Sequence, residues 1–220
     1  MNVASYIDHT VLKPTTVLDD VQKVCEEALE YKFAAVCVPP PFVRACREFL
    51  KGSDVKVATV IGFPFGYSVP KAKLCEVEQA IQDGCDELDV VINISAAKSG
   101  LWNELEDEMT MLLAPIHAND RKIKVIIESG ILTDDEIVTC CRIYGALGVD
   151  YVKTSTGYAE TGATLKAVQL MKANLPSGVK IKAAGGIKTY ALAKQFIEAG
   201  ANRIGSSSGV GLVKQQSEEQ

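Results

Sequence analysis

Short apolar runs alternate with amphipathic helical patterns along this chain, and the alternation constrains the fold more than any other feature. Runs rich in Val and Ile predict strands at 34–38, 55–62, 87–93, 122–128, 151–155, 180–184 and 202–205, after a short first segment at 5–8. Apolar residues at helical spacing predict helices at 18–32, 41–50, 70–82, 104–116, 133–147, 163–173 and 190–199. Strands such as 57–61 and 124–127 are apolar almost throughout, which is typical of a parallel sheet buried on both faces.

Eight strand-then-helix units predict an α/β protein built as a single (β/α)8 barrel, with one domain covering residues 1–220. The rival architecture is an open doubly wound sheet. It is disfavoured because no Gly-x-Gly-x-x-Gly motif follows the first strand. The residues from Lys214 onward are polar, and we expect them to form a short frayed tail.

Composition narrows the class of partner. The chain is 47% hydrophobic and 23% charged with a net charge of −5, which is ordinary for a soluble globular protein and argues against nucleic acid as a partner. We see no signal peptide and no run of membrane-spanning length, so we expect a cytoplasmic protein with no membrane partner. Homodimer and homotetramer both stay open, because the helical patterns show no decisive exposed apolar stripe.

Cysteine and histidine usage bears on cofactors. The seven cysteines include no Cys-x-x-Cys pair and fall mostly within helical or strand patterns, where free thiols act as small core residues in a reducing compartment. Only two histidines are present, so a His-rich zinc site is not expected. The chemistry is therefore predicted to need no metal and no cofactor.

Two lysines at the ends of apolar strands indicate amine chemistry. Lys153 follows the apolar run at 149–152, and Lys182 ends the run that begins at Val179. Two ammonium groups in one desolvated pocket repel each other, so one loses its proton near neutral pH and becomes a nucleophile. The pattern predicts Schiff-base chemistry on a carbonyl substrate. A solvated lysine at a strand end is the alternative for Lys153.

Asp89 is the candidate acid–base group. The active site of a parallel barrel lies at the carboxyl ends of its strands. Because side chains alternate along a strand, Asp89 shares a face with Val91 and Asn93, and it lies inside the barrel if that face is the inner one. It would then be within reach of both lysines. A structural ion pair with Lys182 is the alternative.

Three further residues lie at or near the ends of the first two predicted strands. Asp8 could serve the site or cap the amino terminus of a helix, and Cys37 could line the pocket or fill the core as a small thiol. His9 is expected to be a hydrogen-bonding residue rather than a catalyst. None of the three decides the function alone.

Glycine-rich loops follow the last two strands. Gly185 and Gly186 come after the seventh, and the Gly-Ser-Ser-Ser-Gly run at 205–209 comes after the eighth. Barrels often bind phosphate at these two loops, with backbone N–H groups as donors. The sequence therefore predicts a phosphorylated substrate, with two ordinary turns as the alternative.

Five motifs in one order resemble the deoxyribose-phosphate aldolase family. They are IDHT at 7–10, ELDVVIN at 87–93, KVIIE at 124–128, VKTSTG at 152–157 and KAAGG at 182–186. The resemblance extends from Asp8 to about Ser208, nearly the whole chain. It implies a class I aldolase that reversibly cleaves 2-deoxy-D-ribose 5-phosphate, a small-molecule sugar phosphate, to D-glyceraldehyde 3-phosphate and acetaldehyde.

The resemblance also implies roles for individual residues. Lys153 would be the Schiff-base lysine, Asp89 the proton donor or acceptor and Lys182 its partner in proton transfer. The phosphate would be surrounded by Gly157, Gly185, Gly186, Gly205, Ser207 and Ser208. The substrate pocket would be lined by Asp8, Cys37 and Thr156. Some members of the family end in a tyrosine that reaches the site, whereas the last tyrosine of this chain is Tyr190.

Two other classes of function share the predicted phosphate loops. A sugar-phosphate isomerase or decarboxylase would use the lysines as electrostatic clamps without forming an imine. A non-catalytic sensor would bind a sugar phosphate and release no acetaldehyde. Borohydride trapping in the presence of substrate distinguishes an imine-forming enzyme from both.

Overall fold

Each apolar run forms a strand with alternate side chains directed into the barrel and toward the surrounding helices. The computed structural model describes residues 1–219, in which eight parallel strands pair with their sequence neighbours and β8 closes on β1. The predicted (β/α)8 barrel is confirmed. The strands are β1 (Ile7–Thr10), β2 (Ala35–Val38), β3 (Lys56–Ile61), β4 (Glu87–Val91), β5 (Lys122–Ile126), β6 (Tyr151–Lys153), β7 (Lys180–Ala184) and β8 (Arg203–Ser206).

Helices surround the barrel, and the seven predicted from the hydrophobic spacing are present in the predicted order, together with α4 and α9, which were not predicted. The predicted capping box is present, because the Thr133 hydroxyl accepts from Glu136 N while Glu136 accepts from Thr133 N, and Gly148 ends that helix at a φ of 71°. The helices are α1 (Leu18–Tyr31), α2 (Val43–Phe49), α3 (Pro70–Gln82), α4 (Ile94–Lys98), α5 (Trp102–Ala118), α6 (Asp134–Leu147), α7 (Leu165–Asn174), α8 (Tyr190–Glu198) and α9 (Gly209–Glu218). Short 3-10 helices span Val3–Tyr6 and Pro40–Phe42.

Three strands end two residues earlier than the apolar runs predicted. β4 ends at Val91 because Asn93 begins the short helix α4, and its side chain accepts a hydrogen bond from Ala96 N at 3.1 Å. β5 ends before Glu128, which has a φ of 52° and turns the chain into a loop. β6 stops at Lys153. The apolar runs therefore extend beyond the sheet, and Ile92 and Ile127 pack in the large apolar core.

The predicted frayed tail from residue 214 is wrong, because these residues continue helix α9 to Glu218. Within α9, Leu212 is fully buried, and the side chain of Gln216 is buried where the helix passes the first residues of the chain. Gln216 Oε1 accepts a hydrogen bond from Val3 N at 3.0 Å, and its amide group donates to Met1 O. A polar residue is thus an anchor of this helix, which is why polarity alone misled the prediction.

The strands separate two apolar regions. Residues such as Val36, Val57 and Ile61 belong to the large core between the barrel and the helices. Cys37, Ala58 and Val60 form a separate small cluster, which we call the apolar sector. Because side chains alternate along β2 and β3, the apolar sector faces the barrel interior.

No helix within residues 1–219 is long and apolar enough to cross a membrane.

Candidate active site

Seven charged side chains from six strands meet inside the barrel, beside the apolar sector. Each is linked to others by contacts of 3.6 Å or less between a nitrogen and a carboxylate oxygen. We call them the interior charge cluster, and they are Asp8, Glu87, Asp89, Lys124, Lys153, Lys182 and Arg203.

Asp89 lies at the centre of this cluster and is fully buried. One of its oxygens, Oδ2, accepts hydrogen bonds from Lys153 Nζ and Lys182 Nζ, both at 2.8 Å. The other, Oδ1, accepts from Lys124 Nζ at 2.7 Å. The structure therefore brings the three predicted catalytic residues together, with Lys153 and Lys182 on one oxygen of Asp89. It also places Asp89 on the inner face of β4.

A second tier of ion pairs lies on the side of Asp89 away from the mouth. Lys182 Nζ is 2.5 Å from Asp8 Oδ2, and Lys124 Nζ is 2.6 Å from Glu87 Oε2. The guanidinium of Arg203 pairs with Asp8 and lies 2.7 Å from Glu87 Oε1. Asp8 is thus an ion-pair partner within the barrel and not a helix cap.

The charges of the cluster do not balance. The cluster contains four basic side chains, from Lys124, Lys153, Lys182 and Arg203, and three carboxylates. Burying a charge without a counter-charge is costly, so the one excess cation is unfavourable. Loss of one proton from a lysine would make the cluster neutral.

The pKa directions identify which lysine that is. Burial lowers the pKa of Lys153, and the nearby charge of Lys182 lowers it further, against the opposing effect of Asp89. Burial also acts to lower the pKa of Lys182, but Asp8 and Asp89 outweigh it and raise this pKa above its ordinary value. The pKa of Lys124 is likewise held well above its ordinary value, since Asp89 and Glu87 outweigh burial. Lys153 is therefore the lysine of the cluster that most readily becomes a free amine.

Asp89 itself is held in the ionised form. Burial acts to raise its pKa, but the charges of Lys124, Lys153 and Lys182 together outweigh burial and hold the pKa well below the ordinary value. An ionised carboxylate accepts protons and hydrogen bonds. Asp89 can therefore orient all three amines and receive a proton from a neighbour.

Lys153 borders a cavity of about 630 Å³ at the carboxyl ends of the strands. Six of the residues predicted to surround the substrate line this cavity, namely Thr156, Gly157, Gly185, Gly186, Gly205 and Ser207. Asp8, Cys37, Asp89 and Lys182 are fully buried and lie outside its walls. Ser208 is also not in the wall, and its backbone N–H donates to Ser206 Oγ at 3.0 Å.

Glycine is required at two places around the cavity for different reasons. Gly185 has a φ of 94° and Gly186 a φ of 81°, a conformation that other residues rarely adopt. At Gly205, a Cβ atom would lie 2.8 Å from Ala184 Cβ and 3.1 Å from Lys182 Cε. A side chain at Gly205 would therefore clash with Ala184 and crowd the Lys182 side chain.

Thr156 is held by Glu128, a residue that the sequence placed only at a strand end. The Thr156 hydroxyl donates to the Glu128 carboxylate and accepts from Tyr158 N at 3.1 Å. Glu128 is buried, and burial raises its pKa despite the hydrogen bonds from Thr156. With donor and acceptor both engaged, the Thr156 hydroxyl has a fixed orientation at the cavity wall.

Sequence reasoning missed Lys124, Glu87 and Arg203 as members of the site. A signal was available for Glu87, because it is two residues from Asp89 and so shares its strand face. Lys124 pairs with Asp89 in the β4–β5 register, which the sequence does not specify. Lys188 and Lys13 also line the cavity and were not identified.

His9 makes the hydrogen bond expected of it, with Nε2 2.6 Å from Glu27 Oε2. Within residues 1–219, no group of three or more His, Cys, Asp or Glu side chains is arranged to hold a metal ion. In the interior charge cluster, lysine and arginine nitrogens occupy the positions around the carboxylates.

Comparison with known proteins agrees with this geometry. The sequence model of the DeoC/LacD family aldolases matches residues 2–215. A deoxyribose-phosphate aldolase of Streptococcus suis is 48% identical over 213 residues, covering 97% of this chain and 96% of the relative. One from Thermococcus gammatolerans is 47% identical over 216 residues, again covering 97% and 96%.

The fold comparison gives the same family. The tetrameric deoxyribose phosphate aldolase of Aeropyrum pernix superposes with a TM-score of 0.92 at 29% identity, covering 99% of this chain and 92% of that one. Family match, full-length relatives and barrel geometry coincide, and the chain belongs to the deoxyribose-phosphate aldolase family.

Proposed function

We propose that this protein is a class I aldolase that reversibly cleaves 2-deoxy-D-ribose 5-phosphate to D-glyceraldehyde 3-phosphate and acetaldehyde. One observation carries the proposal. Lys153 is the amine that borders the cavity and has a lowered pKa, while Lys124 and Lys182 beside it have raised pKa values. A free amine next to groups that stay cationic is the arrangement that imine formation needs.

Lys153 is the proposed nucleophile. Its neutral amine attacks the aldehyde carbon of the open-chain sugar, and loss of water from the carbinolamine gives a protonated imine. The imine withdraws electrons, so the bond between C2 and C3 breaks as the C3 hydroxyl loses its proton. D-glyceraldehyde 3-phosphate leaves, and the two remaining carbons stay on Lys153 as an enamine.

Asp89 and Lys182 are the proposed proton-transfer pair. Asp89 is ionised and Lys182 is protonated, and the Lys182 ammonium donates to Asp89 Oδ2 at 2.8 Å. A proton can pass between this pair and the substrate, directly or through water, during carbinolamine dehydration and enamine protonation. Hydrolysis of the imine then releases acetaldehyde and regenerates Lys153.

The glycine loops are the proposed phosphate site. Their backbone N–H groups can donate to phosphate oxygens at the wall of the cavity that contains Lys153. Lys188 in the same wall adds a cation. Binding of the phosphate would hold the reacting carbonyl against the amine, which lowers the entropic part of the barrier. The proposed phosphate residues are Gly157, Gly185, Gly186, Gly205, Ser207 and Ser208.

Borohydride trapping tests the function. Incubation with 2-deoxy-D-ribose 5-phosphate and sodium borohydride should leave a reduced adduct on the peptide that contains Lys153, located by mass spectrometry. Lys56→Leu is the matched control, since Lys56 is exposed at the start of β3. This variant should keep both the adduct and acetaldehyde release. An active, folded protein with no adduct on Lys153 would contradict the proposal.

We also propose a homo-oligomer in the cytoplasm. The tetramer of the Aeropyrum pernix relative supports self-association, and the free cysteines among the described residues suit a reducing compartment. Light scattering after size-exclusion chromatography would distinguish monomer, dimer and tetramer.

A further inference from the structure

Glu128 is a buried carboxylate outside the interior charge cluster, at the point where the chain leaves β5. It is 3% exposed, and both of its hydrogen-bond donors among residues 1–219 belong to Thr156, a neutral residue. Burying a carboxylate without a cationic donor is costly. Its backbone φ of 52° is a second unfavourable feature, because residues with a side chain rarely adopt it. Two such costs at one residue of the barrel mouth favour a role in function.

The hydrogen bonds of the Thr156 hydroxyl decide what it can offer a substrate. A hydroxyl has one hydrogen and two lone pairs. The hydrogen of Thr156 is donated to Glu128, and one lone pair accepts from Tyr158 N at 3.1 Å. The second lone pair has no partner in the part of the chain that the structure describes, and Thr156 lines the cavity that contains Lys153. While Glu128 is ionised, the Thr156 hydroxyl can therefore only accept a hydrogen bond from a bound molecule.

Thr156 lies on the cavity wall between the two proposed anchors of the substrate. Lys153, three residues earlier, would hold the aldehyde end, and Gly157, the next residue, belongs to the proposed phosphate site. The open-chain sugar has its hydroxyl groups between these two ends, on C3 and C4. A hydroxyl of the substrate can therefore donate to Thr156 while C1 is bonded to Lys153.

Bond cleavage needs a base for the proton of the C3 hydroxyl, and Glu128 suits this step better than Asp89. Asp89 accepts hydrogen bonds from three lysine amines, whose charges hold its pKa well below the ordinary value. Burial raises the pKa of Glu128, and the hydrogen bonds from Thr156 and the charge of Lys153 oppose this only in part. The carboxylate with the higher pKa is the stronger base.

We propose that Glu128 is a positioning residue and the final proton acceptor of bond cleavage, acting through the Thr156 hydroxyl. This inference rests on the proposed function. As the C2–C3 bond breaks, the C3 hydroxyl passes its proton to the Thr156 oxygen, and the hydrogen of Thr156 moves to Glu128. The C3–O bond becomes the carbonyl of D-glyceraldehyde 3-phosphate, and the electron pair of the broken bond forms the enamine on Lys153. After the product leaves, Glu128 returns its proton through Thr156 to water.

Two reactions of the same lysine separate this role from a structural one. Exchange of the methyl hydrogens of acetaldehyde with D₂O needs the imine and enamine on Lys153 but breaks no C–C bond. Cleavage of 2-deoxy-D-ribose 5-phosphate needs the relay as well. Glu128→Gln keeps an oxygen that accepts from Thr156 but cannot take up a proton. Thr156→Val removes the hydroxyl at nearly constant volume, whereas Thr156→Ser keeps it.

The two relay variants should lose cleavage and keep exchange. Glu128→Gln and Thr156→Val should each lower kcat for cleavage about 100-fold, the scale of one positioned proton-transfer group, and change the exchange rate less than about threefold. The double variant should be no slower than either single variant, because the two residues act as one unit. Thr156→Ser should keep kcat for cleavage within about threefold of the unmodified protein.

The loss in Glu128→Gln should also depend on pH. Glu128 accepts the proton only when it is ionised, and its pKa is raised by burial. The ratio of kcat between the unmodified protein and Glu128→Gln should therefore shrink as the pH falls through the pKa of Glu128. Lys153, the charged group that acts on Glu128, is present in both proteins, so its own titration affects them alike. A structural role would give the same ratio at every pH.

Glu76→Gln is the matched control. Glu76 also holds a loop at the barrel mouth, since it accepts from Gly62 N at 2.6 Å. It lines a second cavity, of about 400 Å³, whose walls include neither Lys153 nor Thr156. This variant should therefore change neither cleavage nor exchange.

Equal losses of cleavage and exchange in Glu128→Gln would overturn the relay, as would cleavage at the unmodified rate in either Glu128→Gln or Thr156→Val. Thermal unfolding shows whether each variant is folded, and Thr156→Val decides the question if Glu128→Gln is not. Absence of both reactions in the unmodified protein would instead refute the proposed function.

Discussion

Two buried groups of lysines and carboxylates in this molecule differ in charge balance and in whether a lysine borders a cavity. Outside the barrel interior, Lys73 of α3 lies 2.7 Å from Glu108 of α5 and donates to Val91 O at 2.9 Å. This pair has one cation for one carboxylate, and Lys73 lines neither of the two cavities at the mouth. The interior charge cluster has one basic group in excess, and Lys153, its member with a lowered pKa, borders a cavity.

The comparison shows that a lowered lysine pKa is not by itself a catalytic feature. Burial lowers the pKa of Lys73 as it does that of Lys153, and it raises the pKa of Glu108. Lys73 is nevertheless fully buried, and its amine donates to two protein groups. Lys153 combines a lowered pKa with a cavity, and that combination predicts a nucleophile.

Removing Lys153 should abolish activity and spare the fold, whereas removing Lys73 should do the opposite. Lys153→Leu should lower kcat/KM for deoxyribose phosphate cleavage by on the order of 10⁶-fold, the scale associated with loss of a covalent nucleophile. The fold should persist, because Asp89 keeps Lys124 and Lys182 as partners. Coupled assays with thermal unfolding check both points. Substantial residual turnover in the folded variant would show that Lys153 is not the nucleophile.

Lys73→Leu should damage stability rather than chemistry. It leaves the Glu108 carboxylate buried without a counter-charge, so the free energy of unfolding should fall by about 3–5 kcal/mol. Urea titration measures this loss. In Lys73→Leu/Glu108→Leu most of the stability should return, since both charges are gone. Folded Lys73→Leu protein should still form the borohydride adduct on Lys153. Loss of that adduct would indicate that Lys73 acts on the site.

Lys182→Leu should change the pH dependence as well as the rate. Removing a cation beside Lys153 raises its pKa, so the limb of the pH–kcat/KM profile on which Lys153 loses its proton should move to higher pH. The rate should also fall, because Lys182 is a proposed proton-transfer partner. A profile that keeps its shape while only the rate falls would mean that Lys182 does not lower the pKa of Lys153.

The smallest effects are expected from the second tier of ion pairs. Arg203→Met removes a cation and should move the same limb slightly to higher pH, whereas Glu87→Gln removes a carboxylate and should move it to lower pH. The double variant restores the original charge balance, so its limb should return toward that of the unmodified protein. Shifts in the same direction for both single variants would contradict an electrostatic origin.

The sequence was sufficient for the barrel and for part of the site. Hydrophobic periodicity specifies eight strands and the seven helices that connect them, and alternation along β4 specifies that Asp89 and Glu87 share a face. The position of Lys124 opposite Asp89 depends on the register between β4 and β5. That register follows from closure of the whole barrel and has no local signal.

Helix α9 was missed for a related reason. Its anchor, Gln216, is polar, and it is buried because its amide group satisfies the backbone at Val3 and Met1, which lie 213 and 215 positions earlier in the chain. Such contacts form only in the folded chain, and the hydrophobic pattern contains no record of them.

The titration of Lys153 is the most direct test of the electrostatic account. Protein labelled with ¹³C at the lysine Cε positions can be titrated by NMR, with the Lys153 and Lys182 resonances assigned from the Lys153→Leu and Lys182→Leu spectra. We predict that the pKa of Lys153 lies below the ordinary lysine value of 10.5, while Lys182 stays protonated above it. A Lys153 that remains protonated to as high a pH as Lys182 would contradict the account.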